Sequence, residues 1–348
     1  MAGDARPTVA IILVNWNGWR DTIACLRTCL ALTGAAFRLI VCDNASRDGS
    51  VDEILAWARG GAAPASIGDC PVPVAGDPRP RGVAHLDRAA AERGDDGAGA
   101  ELLIVSTGGN LGFAGGNNIG LRWALARGFS HAWLLNNDTA VPSDALAELL
   151  APMQADPRIG LTGSVLIDYE PPHRLQAISG AVRPSSFRGR HRGAGMTAGS
   201  VEAARALAGA DPLRPGEIAY PVGASMLASR AFLETVGLME ESYFLYYEET
   251  DWVLRAAGKF DVAIAERSIV YHRQGTSAGS TSVKVSRRAM GFLYRSRLRA
   301  ARLHRPAALP GVVIGMADEA ARRLLRGDTA KALAAFDALT GRVTPPAK

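Results

Sequence analysis

Two amides and a carboxylate follow a short apolar run in the middle of the chain. Residues 132–135 read Ala-Trp-Leu-Leu, and Asn136, Asn137 and Asp138 come next. The run predicts a buried β-strand, and in an open α/β sheet ligands bind at the carboxyl ends of the strands. Asp138 is therefore placed to hold a metal ion or a phosphate group. Alternatively, these side chains form an Asx turn that caps a helix starting near Ser143.

A second candidate site is an acidic cluster within residues 243–255. Four aromatic residues run into Glu248 and Glu249, and Asp251 follows. Carboxylates at a helix start are favoured by the helix dipole, so capping alone explains them. A carboxylate among aromatic rings is also a candidate general base, because its surroundings can tune its pKa.

A histidine, His272, ends an apolar segment just before a polar, glycine-containing stretch. Its ring nitrogens make it a candidate metal ligand, and a structural role in the core is the alternative.

Four short apolar runs predict the strands that position these groups. They lie at 9–14, 37–42, 102–106 and 132–135. Such runs are typical of parallel strands covered on both faces. Polar residues follow the first two, among them Asn15, Asn17 and Asp43. With helical patterns between the runs, the order β-α-β-α predicts an α/β fold with a central, mostly parallel sheet.

A glycine- and asparagine-rich stretch, residues 107–120, leads from the third run into a predicted helix. It contains Asn110, Gly112 and Asn117 but no Gly-x-Gly-x-x-Gly, so the dinucleotide-binding fingerprint is missing. A glycine-rich turn at a helix start lets backbone amides approach an anion. The alternative is that the glycines pack the helix closely on a strand.

Two stretches rich in Gly, Pro and Arg predict irregular structure, at 60–100 and at 168–215. We expect a partly mobile surface loop for the first, and for the second a pocket wall with one helix at 201–207. Further patterns predict strands at 159–167, 220–229, 262–265 and 269–272, and helices at 144–153 and 230–236.

The C-terminal part predicts helices only. Residues 284–305 form a strongly basic pattern, and residues 318–339 form one or two alanine-rich helices with a break at Gly327 and Asp328. The basic helix either lies on an anionic membrane surface or packs on the domain. We therefore predict a main domain at 1–280 and a helical extension at 281–348.

Composition narrows the class of protein. The 348 residues are 48% hydrophobic and 21% charged, which suits a globular protein of one large or two smaller domains. The net charge of +5 is mild and spread along the chain, so nucleic-acid binding is not expected. The four cysteines lack zinc-site spacing, which indicates free thiols in a reducing cytosol. The runs at 9–14 and 309–317 are too short to span a bilayer, and no signal peptide is expected.

Taken together, these segments resemble a family 2 glycosyltransferase of the kind that includes bacterial rhamnosyltransferases. The resemblance covers about residues 9–277. It is carried by VNWN at 14–17, VCDNAS at 41–46, NLGFAGGNN at 110–118, LNNDT at 135–139, GASM at 223–226, FLYYEETDW at 244–252 with Arg255, and VYH at 270–272.

The resemblance implies a GT-A type nucleotide-binding fold that uses a nucleoside diphosphate sugar, with rhamnose as one candidate sugar. By position, Asp43 resembles the carboxylate that reads a pyrimidine base. The other residues implied in donor binding are Asn15, Asn17, Asn110, Gly112, Asn117 near the diphosphate, and Asn136.

The resemblance also implies a divalent cation, Mg²⁺ or Mn²⁺, at Asp138. This residue matches the last carboxylate of the family's Asp-x-Asp motif, which holds a metal bridging the two phosphates. Asn136 replaces the first aspartate and removes one charge from the site. His272 resembles the histidine that completes the metal shell in some relatives.

Glu249 falls where the family usually has its base, an aspartate. The resemblance implies that Glu249 deprotonates an acceptor hydroxyl, while Glu248 orients neighbours or binds the acceptor. Direct attack on the anomeric carbon then inverts configuration. The expected acceptor is a glycan or a lipid-linked glycan in cell-surface polysaccharide synthesis, reached from the cytoplasm at the inner membrane face. A sugar-nucleotide nucleotidyltransferase and a non-catalytic glycan-binding relative are the competing hypotheses.

Overall fold

The computed structural model describes residues 7–62, 70–273 and 286–343. Its first half alternates strands and helices, as the apolar runs predict. The elements are β1 (Thr8–Asn15), α1 (Trp19–Cys29), β2 (Ala36–Asp43), α2 (Ser50–Ala58), β3 (Val83–Asp87), α3 (Arg88–Glu92), β4 (Leu102–Ser106), α4 (Gly112–Ala126) and β5 (His131–Leu135).

The second half begins with a two-residue strand and ends in three helices. The elements are β6 (Thr139–Ala140), α5 (Ala145–Ala155), β7 (Ile159–Asp168), β8 (Leu175–Ala177), β9 (Gly180–Arg183), β10 (Arg188–His191), α6 (Val201–Ala206), β11 (Ile218–Tyr220), β12 (Ser225–Ser229), α7 (Arg230–Val236), α8 (Glu248–Ala256), β13 (Asp261–His272), α9 (Arg287–His304), α10 (Leu309–Leu325) and α11 (Thr329–Leu339).

One large sheet organises the domain, in the order β3-β4-β2-β1-β5-β12-β7-β13-β6, with β8 paired to β7. The first five strands are parallel. β12 runs antiparallel to both β5 and β7, and β13 is parallel to β7. The carboxyl ends of β1, β2, β5, β7 and β13 therefore meet at one edge of the sheet, as ligand binding in such folds requires.

The core covers both faces of the sheet. Along β1, Ile11 and Leu13 contribute to the cluster under α1, α2 and α5, whereas Ile12 faces α4 on the other side. All three are fully buried. A parallel strand between two helical layers needs apolar residues at consecutive positions, which explains the unbroken apolar run.

Helix α4 begins earlier than the glycine-rich sequence predicts. Gly116 and Gly120 lie inside it, where an added Cβ would come within 3.0 Å of Asn44 and 2.6 Å of Ile12, respectively. These two glycines let the helix approach the sheet, so the packing alternative is correct for them.

The two stretches predicted as irregular contain regular elements. β3 and α3 lie in the first, and β3 pairs with β4 along all of its residues. β8, β9 and β10 lie in the second, and β9 forms a separate three-stranded sheet with β10 and β11. The stretch predicted as one strand at 220–229 is split into β11 and β12. These strands have only three to five residues, too few to show an alternating pattern, so they depend on pairing with strands distant in sequence.

The C-terminal helices break at Gly327 as expected, where φ is 78°. Residues 284 and 285 of the predicted basic helix lie outside the described residues. The remainder, α9, packs on the domain: Met290, Tyr294 and Leu298 share a hydrophobic cluster with Tyr243 and Tyr247. Within the described ranges, no helix has the length and apolar character of a membrane span.

Candidate active site

Asp138 and His272 meet at the carboxyl edge of the sheet. The short strand β6 pairs antiparallel with the end of β13, which sets Thr139 opposite His272. The carboxylate Oδ1 of Asp138 lies 3.2 Å from Nε2 of His272. The side-chain amide of Asn136 lies 3.2 Å from the same nitrogen. The structure thus brings His272 to Asn136, from which it is 136 positions distant in the chain, and to the neighbouring Asp138.

The hydrogen bonds of Gln176 indicate that Nδ1 of the His272 ring carries a proton. Its amide nitrogen donates to the backbone carbonyl of His272 at 2.6 Å. Its amide oxygen must then accept a proton from Nδ1 of the ring, 2.9 Å away. In the neutral ring, Nε2 then carries a lone pair that accepts from the Asn136 amide and lies 3.2 Å from Oδ1 of Asp138. This nitrogen and the carboxylate are both able to bind a cation.

This donor set fits a divalent metal, with one carboxylate oxygen, one imidazole nitrogen and room for other oxygens. In the part of the chain that the structure describes, no group of three or more His, Cys, Asp or Glu side chains forms a complete cage. A metal held here would take its remaining ligands from a diphosphate and water, as Mg²⁺ sites commonly do.

A further carboxylate and an arginine stand beside this pair. Burial raises the pKa of Asp21, the negative charge of Asp138 adds to the rise, and Arg273 opposes it. Arg273 contacts Asp21 at 2.6 Å and lies over the ring of Tyr169. Its backbone amide also donates to the carbonyl of Asp138. The edge of the sheet therefore carries a positive group close to the candidate metal ligands.

Asp43 sits at the end of β2 in a closed hydrogen-bond network. Its Oδ1 accepts from Asn15 at 2.7 Å and from the Ser46 hydroxyl at 2.6 Å. Asn15 is fully buried, and its own oxygen accepts from Thr22. Asn15 therefore fixes the orientation of Asp43 from behind, and its predicted part in nucleoside binding would act through that carboxylate.

The other predicted donor-binding residues shape the rim of the same edge. Asn17 is exposed and adopts a left-handed φ of 54°, with its side-chain oxygen accepting from the amide of Arg47. Asn110 accepts from the amide of Gly112 at 3.1 Å. Asn117 is buried within α4 and donates to the carbonyl of Phe113. Their roles toward a nucleotide stay predictions.

Gly112 is required by a close backbone contact. Its φ is 72°, and an added Cβ would lie 2.4 Å from the carbonyl oxygen of Phe244. The same carbonyl accepts from the amide of Phe113. This contact joins the start of α4 to the loop that precedes Glu248, so the predicted donor and acceptor regions are packed together.

The two glutamates at the start of α8 differ in accessibility. Glu248 is 4% exposed, while Glu249 is partly accessible. Burial raises the pKa of Glu249 to about 7, and burial together with the charge of Glu249 raises that of Glu248 well above its ordinary range. One oxygen of each is buried without a hydrogen-bond partner among the described residues. An accessible carboxylate with a pKa near neutrality is suited to general-base catalysis.

The three-stranded sheet forms a wall between the two groups of site residues. Tyr220 and His191 both pair with Gly180, from opposite sides. Burial and then the charge of Glu249 raise the pKa of Tyr220. The pKa of His191 is lowered, first by the protein groups packed around the imidazole and then by His272. Part of the side chain still faces solvent. The wall thus links the surroundings of Glu249 to those of His272.

Helix α9 of the C-terminal extension holds the base-bearing segment in place. Ser296 donates to the carbonyl of Leu245 at 3.0 Å. His304 lies 2.7 Å from Oδ1 of Asp251, whose other oxygen accepts from Arg255 at 2.7 Å. Burial opposes ionisation of Asp251, but the bonds from His304 and Arg255 outweigh it and lower its pKa. Tyr246 and Tyr247, just before the glutamates, both have left-handed φ values, of 68° and 72°.

We expect His304→Ala to destabilise the protein by about 1–3 kcal/mol, because buried Asp251 loses one of its two hydrogen-bonded side-chain partners, His304 and Arg255. Urea unfolding measures this loss. Since the lowered pKa of Asp251 stabilises the fold only while the carboxylate is ionised, the loss should shrink as pH falls below about 4. Leu303→Ala, at the exposed neighbour, is the control and should change stability by less than about 0.5 kcal/mol. Equal losses in both variants would contradict the role of His304.

Several site residues carry no signal in the sequence. Gln176 and His191 lie in a stretch that the sequence predicts to be irregular. His304 lies in a helix whose sequence pattern is dominated by arginines. Trp16, in the VNWN segment, directly follows β1 and is 39% exposed.

No protein-family model matches the chain, but two named proteins resemble part of it in sequence. Agl10 of Haloferax volcanii, a low-salt glycan biosynthesis hexosyltransferase, is 27% identical over 164 residues, which cover 45% of this chain and 46% of the relative. The dTDP-rhamnosyl transferase RfbF of Shigella flexneri is 23% identical over 156 residues, covering 44% and 46%. The chain thus spans less than half the length of these curated relatives.

Solved structures match over much more of the chain. The mannosyltransferase PcManGT from Pyrobaculum calidifontis, in complex with GDP-Man and Mn²⁺, has a TM-score of 0.51 at 15% identity and covers 97% of this chain and 87% of its own. GalNAc-T7 with UDP, GalNAc and Mn²⁺ has a TM-score of 0.53 at 13% identity, covering 86% and 48%. The fold is that of a GT-A type glycosyltransferase. Both relatives by sequence are named as transferases of sugars.

Proposed function

We propose that this protein is an inverting, metal-dependent glycosyltransferase of family 2 that moves a sugar from a nucleoside diphosphate sugar to a hydroxyl acceptor. One observation carries the proposal: Asp138 and His272, drawn together at the carboxyl edge of the sheet, share a fold with a partly accessible Glu249 whose pKa is raised to about 7. Asp138 and His272 are suited to binding a metal ion together with the diphosphate. Glu249 is suited to removing a proton from the acceptor.

In the proposed reaction, Glu249 accepts the proton of the acceptor hydroxyl as its oxygen attacks the anomeric carbon. The bond from that carbon to the diphosphate breaks, and its electron pair leaves with the nucleoside diphosphate. Attack from the opposite face inverts the configuration, and no covalent intermediate is needed. A divalent cation, Mg²⁺ or Mn²⁺, held by Asp138 and His272 would neutralise charge on the leaving diphosphate.

For donor recognition we propose that Asp43 reads the base at the end of β2, with Asn15 holding it and Asn17 and Asn110 at the rim. Rhamnose is a candidate sugar because RfbF, by its name, transfers rhamnose from a dTDP carrier. We propose a glycan or lipid-linked glycan as acceptor, in cell-surface polysaccharide synthesis, since Agl10 is named for glycan biosynthesis.

The donor proposal is tested by thermal unfolding with a panel of nucleoside diphosphate sugars, each with and without Mn²⁺. Stabilisation by one nucleotide, dependent on Mn²⁺, is expected and would identify the carrier. The stabilising sugar nucleotide is then assayed for transfer and for the anomeric configuration of the product. Stabilisation by none of them, or a product of retained configuration, would contradict the proposal.

We further propose that the protein acts in the cytoplasm and contacts the inner face of the membrane through α10 and α11 rather than α9. The apolar side of α9 is buried, whereas Ile314, Leu325 and Phe336 are 69%, 88% and 51% exposed. Exposed arginines accompany them, at 322 and 326. Such surfaces bind anionic lipid headgroups.

Flotation with phosphatidylglycerol vesicles at low salt tests this proposal. We expect the unaltered protein to bind, and we expect the double variant Leu325→Ser, Phe336→Ser to lose that binding. No binding by the unaltered protein would contradict the proposal.

A further inference from the structure

A cleft of about 450 Å³ lies beside the hairpin of the three-stranded sheet. Four arginines line it: Arg183, Arg188, Arg190 and Arg214. β9 and β10 pair so that Arg183 is directly opposite Arg188. Side chains of residues directly opposite each other in an antiparallel pair lie on the same face, so both arginines lie on the same side of the hairpin.

Like charges directly opposite each other on neighbouring strands destabilise a sheet. The structure neutralises only part of this charge. Arg190 is held by Asp211 at 2.6 Å and by Glu217 at 2.9 Å. Within the described ranges, no ion pair engages the guanidinium groups of Arg183 or Arg188. The facing pair therefore adds positive charge to the cleft that no described ion pair balances, and an anion bound there would balance it.

The turn between these two arginines is fixed to the base-bearing segment. The carbonyl of Ser186 accepts from Arg297 of α9 at 2.9 Å, and Arg297 is 4% exposed. The carbonyl of Phe187, a fully buried residue, accepts from the hydroxyl of Tyr247. Tyr247 precedes Glu249 by two residues, so the cleft has a fixed position relative to the proposed base.

We infer that this cleft binds a phosphate or diphosphate group carried by the acceptor. The inference rests on the proposed function, in which Glu249 deprotonates the acceptor hydroxyl. Guanidinium groups bind phosphate oxygens through charge-assisted, paired hydrogen bonds, and several of them suit a multiply charged group. A diphosphate-linked acceptor seated here would present its sugar toward the segment that carries Glu249.

The first experiment measures binding of inorganic pyrophosphate by calorimetry without divalent cations. In that condition the Asp138 and His272 site has no metal to hold the probe. The double variant Arg183→Ala, Arg188→Ala should weaken binding about tenfold or more. The control variant Arg59→Ala, Arg93→Ala removes two exposed arginines elsewhere and should bind as the unaltered protein does. Equal affinity in the cleft variant and the control would overturn the inference.

Thermal unfolding checks that the cleft variant is folded and adds an independent result. Because the variant relieves repulsion between facing charges, its melting temperature should equal or exceed that of the unaltered protein. A lowered melting temperature would show that the arginines stabilise the hairpin and would count against a binding role. In that case Arg188→Gln, which keeps a polar side chain, provides the binding test.

A second experiment identifies the source of the phosphate. Phosphatidylcholine vesicles containing a polyprenyl diphosphate are compared with vesicles that contain phosphatidylglycerol at equal charge. The cleft variant should lose binding to the first and keep its binding to the second. Equal loss on both would overturn the assignment to an acceptor in favour of a general headgroup site. None of these readouts needs sugar transfer, so a failure of the proposed function would leave the cleft result standing.

Discussion

Replacing Asp138 by alanine is expected to lower sugar transfer about 1000-fold or more and to remove the effect of Mn²⁺ on donor binding. The carboxylate places a negative charge 3.2 Å from Nε2 of His272 at the edge of the sheet. Without it, a cation between the protein and the diphosphate would be held by a neutral imidazole and an amide. Transfer by the variant and Mn²⁺-dependent stabilisation by the donor measure the two effects.

The matched control is Asp144→Ala, which removes a carboxylate six positions further along the same connection. Asp144 pairs with Arg205 and has a side chain that is 46% exposed. We expect near-normal transfer from that variant. If Asp138→Ala retained both transfer and its response to Mn²⁺, the metal assignment would be wrong and Asp138 would be a turn residue.

Gln176→Leu gives a graded form of the same test. The leucine side chain is similar in size to glutamine but cannot accept a hydrogen bond from Nδ1 of His272, so the ring can adopt the other tautomer. Outer partners of metal ligands typically contribute about 10- to 100-fold in metal affinity. We expect a loss in this range for Mn²⁺, with nucleoside binding little changed. His272→Ala should show the same pattern more strongly, and a loss of folding without any change in metal affinity would support a structural histidine.

The site residues that the sequence predicts lie next to continuous apolar runs, which are strong local signals for strands. β1, β2 and β5 are continuous apolar runs, and Asn15, Asp43 and Asp138 stand at or just beyond their ends. Parallel strands place their carboxyl ends at one edge, so position along the chain already implies proximity. The α/β class and this edge therefore follow from the apolar patterns, whereas the GT-A type was implied by the family resemblance, and the comparisons confirm it.

The remainder of the site depends on contacts between distant segments. Gln176 reaches His272 across 96 residues, and His304 reaches Asp251 across 53. β9 and β10 are short and contain four charged or titratable side chains in eight residues, so they show no alternation that predicts a strand. Arg183 and Arg188 face each other only because these strands pair. No local property of the sequence encodes such pairings.

Replacing Glu249 by glutamine is expected to lower turnover about 100-fold or more while donor binding survives. Glutamine keeps the size and hydrogen-bonding capacity of the side chain but cannot accept the proton. Because burial raises the pKa of Glu249 to about 7, transfer by the unaltered enzyme should rise with pH and level off above about 7. The residual transfer of the variant should lack this rise. Initial rates from pH 5.5 to 8.5 at saturating donor measure both effects.

Two further variants separate the neighbouring carboxylates. Glu248→Gln should change acceptor affinity more than turnover. Glu248 is 4% exposed, so it acts on the acceptor through the neighbours that it orients, while Glu249 remains available as the base. Glu249→Asp should cause only a moderate loss, since a shorter carboxylate remains in a backbone fitted to the longer side chain.

Stability gives a readout of Glu249 that is independent of activity. A folded-state pKa above that of the unfolded chain means that the folded protein binds more protons between about pH 4.5 and 7, so its stability falls as pH rises through this window. Glu249→Gln should flatten that fall and leave the variant the more stable protein at pH 8. Should the variant transfer sugar at the unaltered rate, with the same pH profile, Glu248 or Asp251 would have to supply the base.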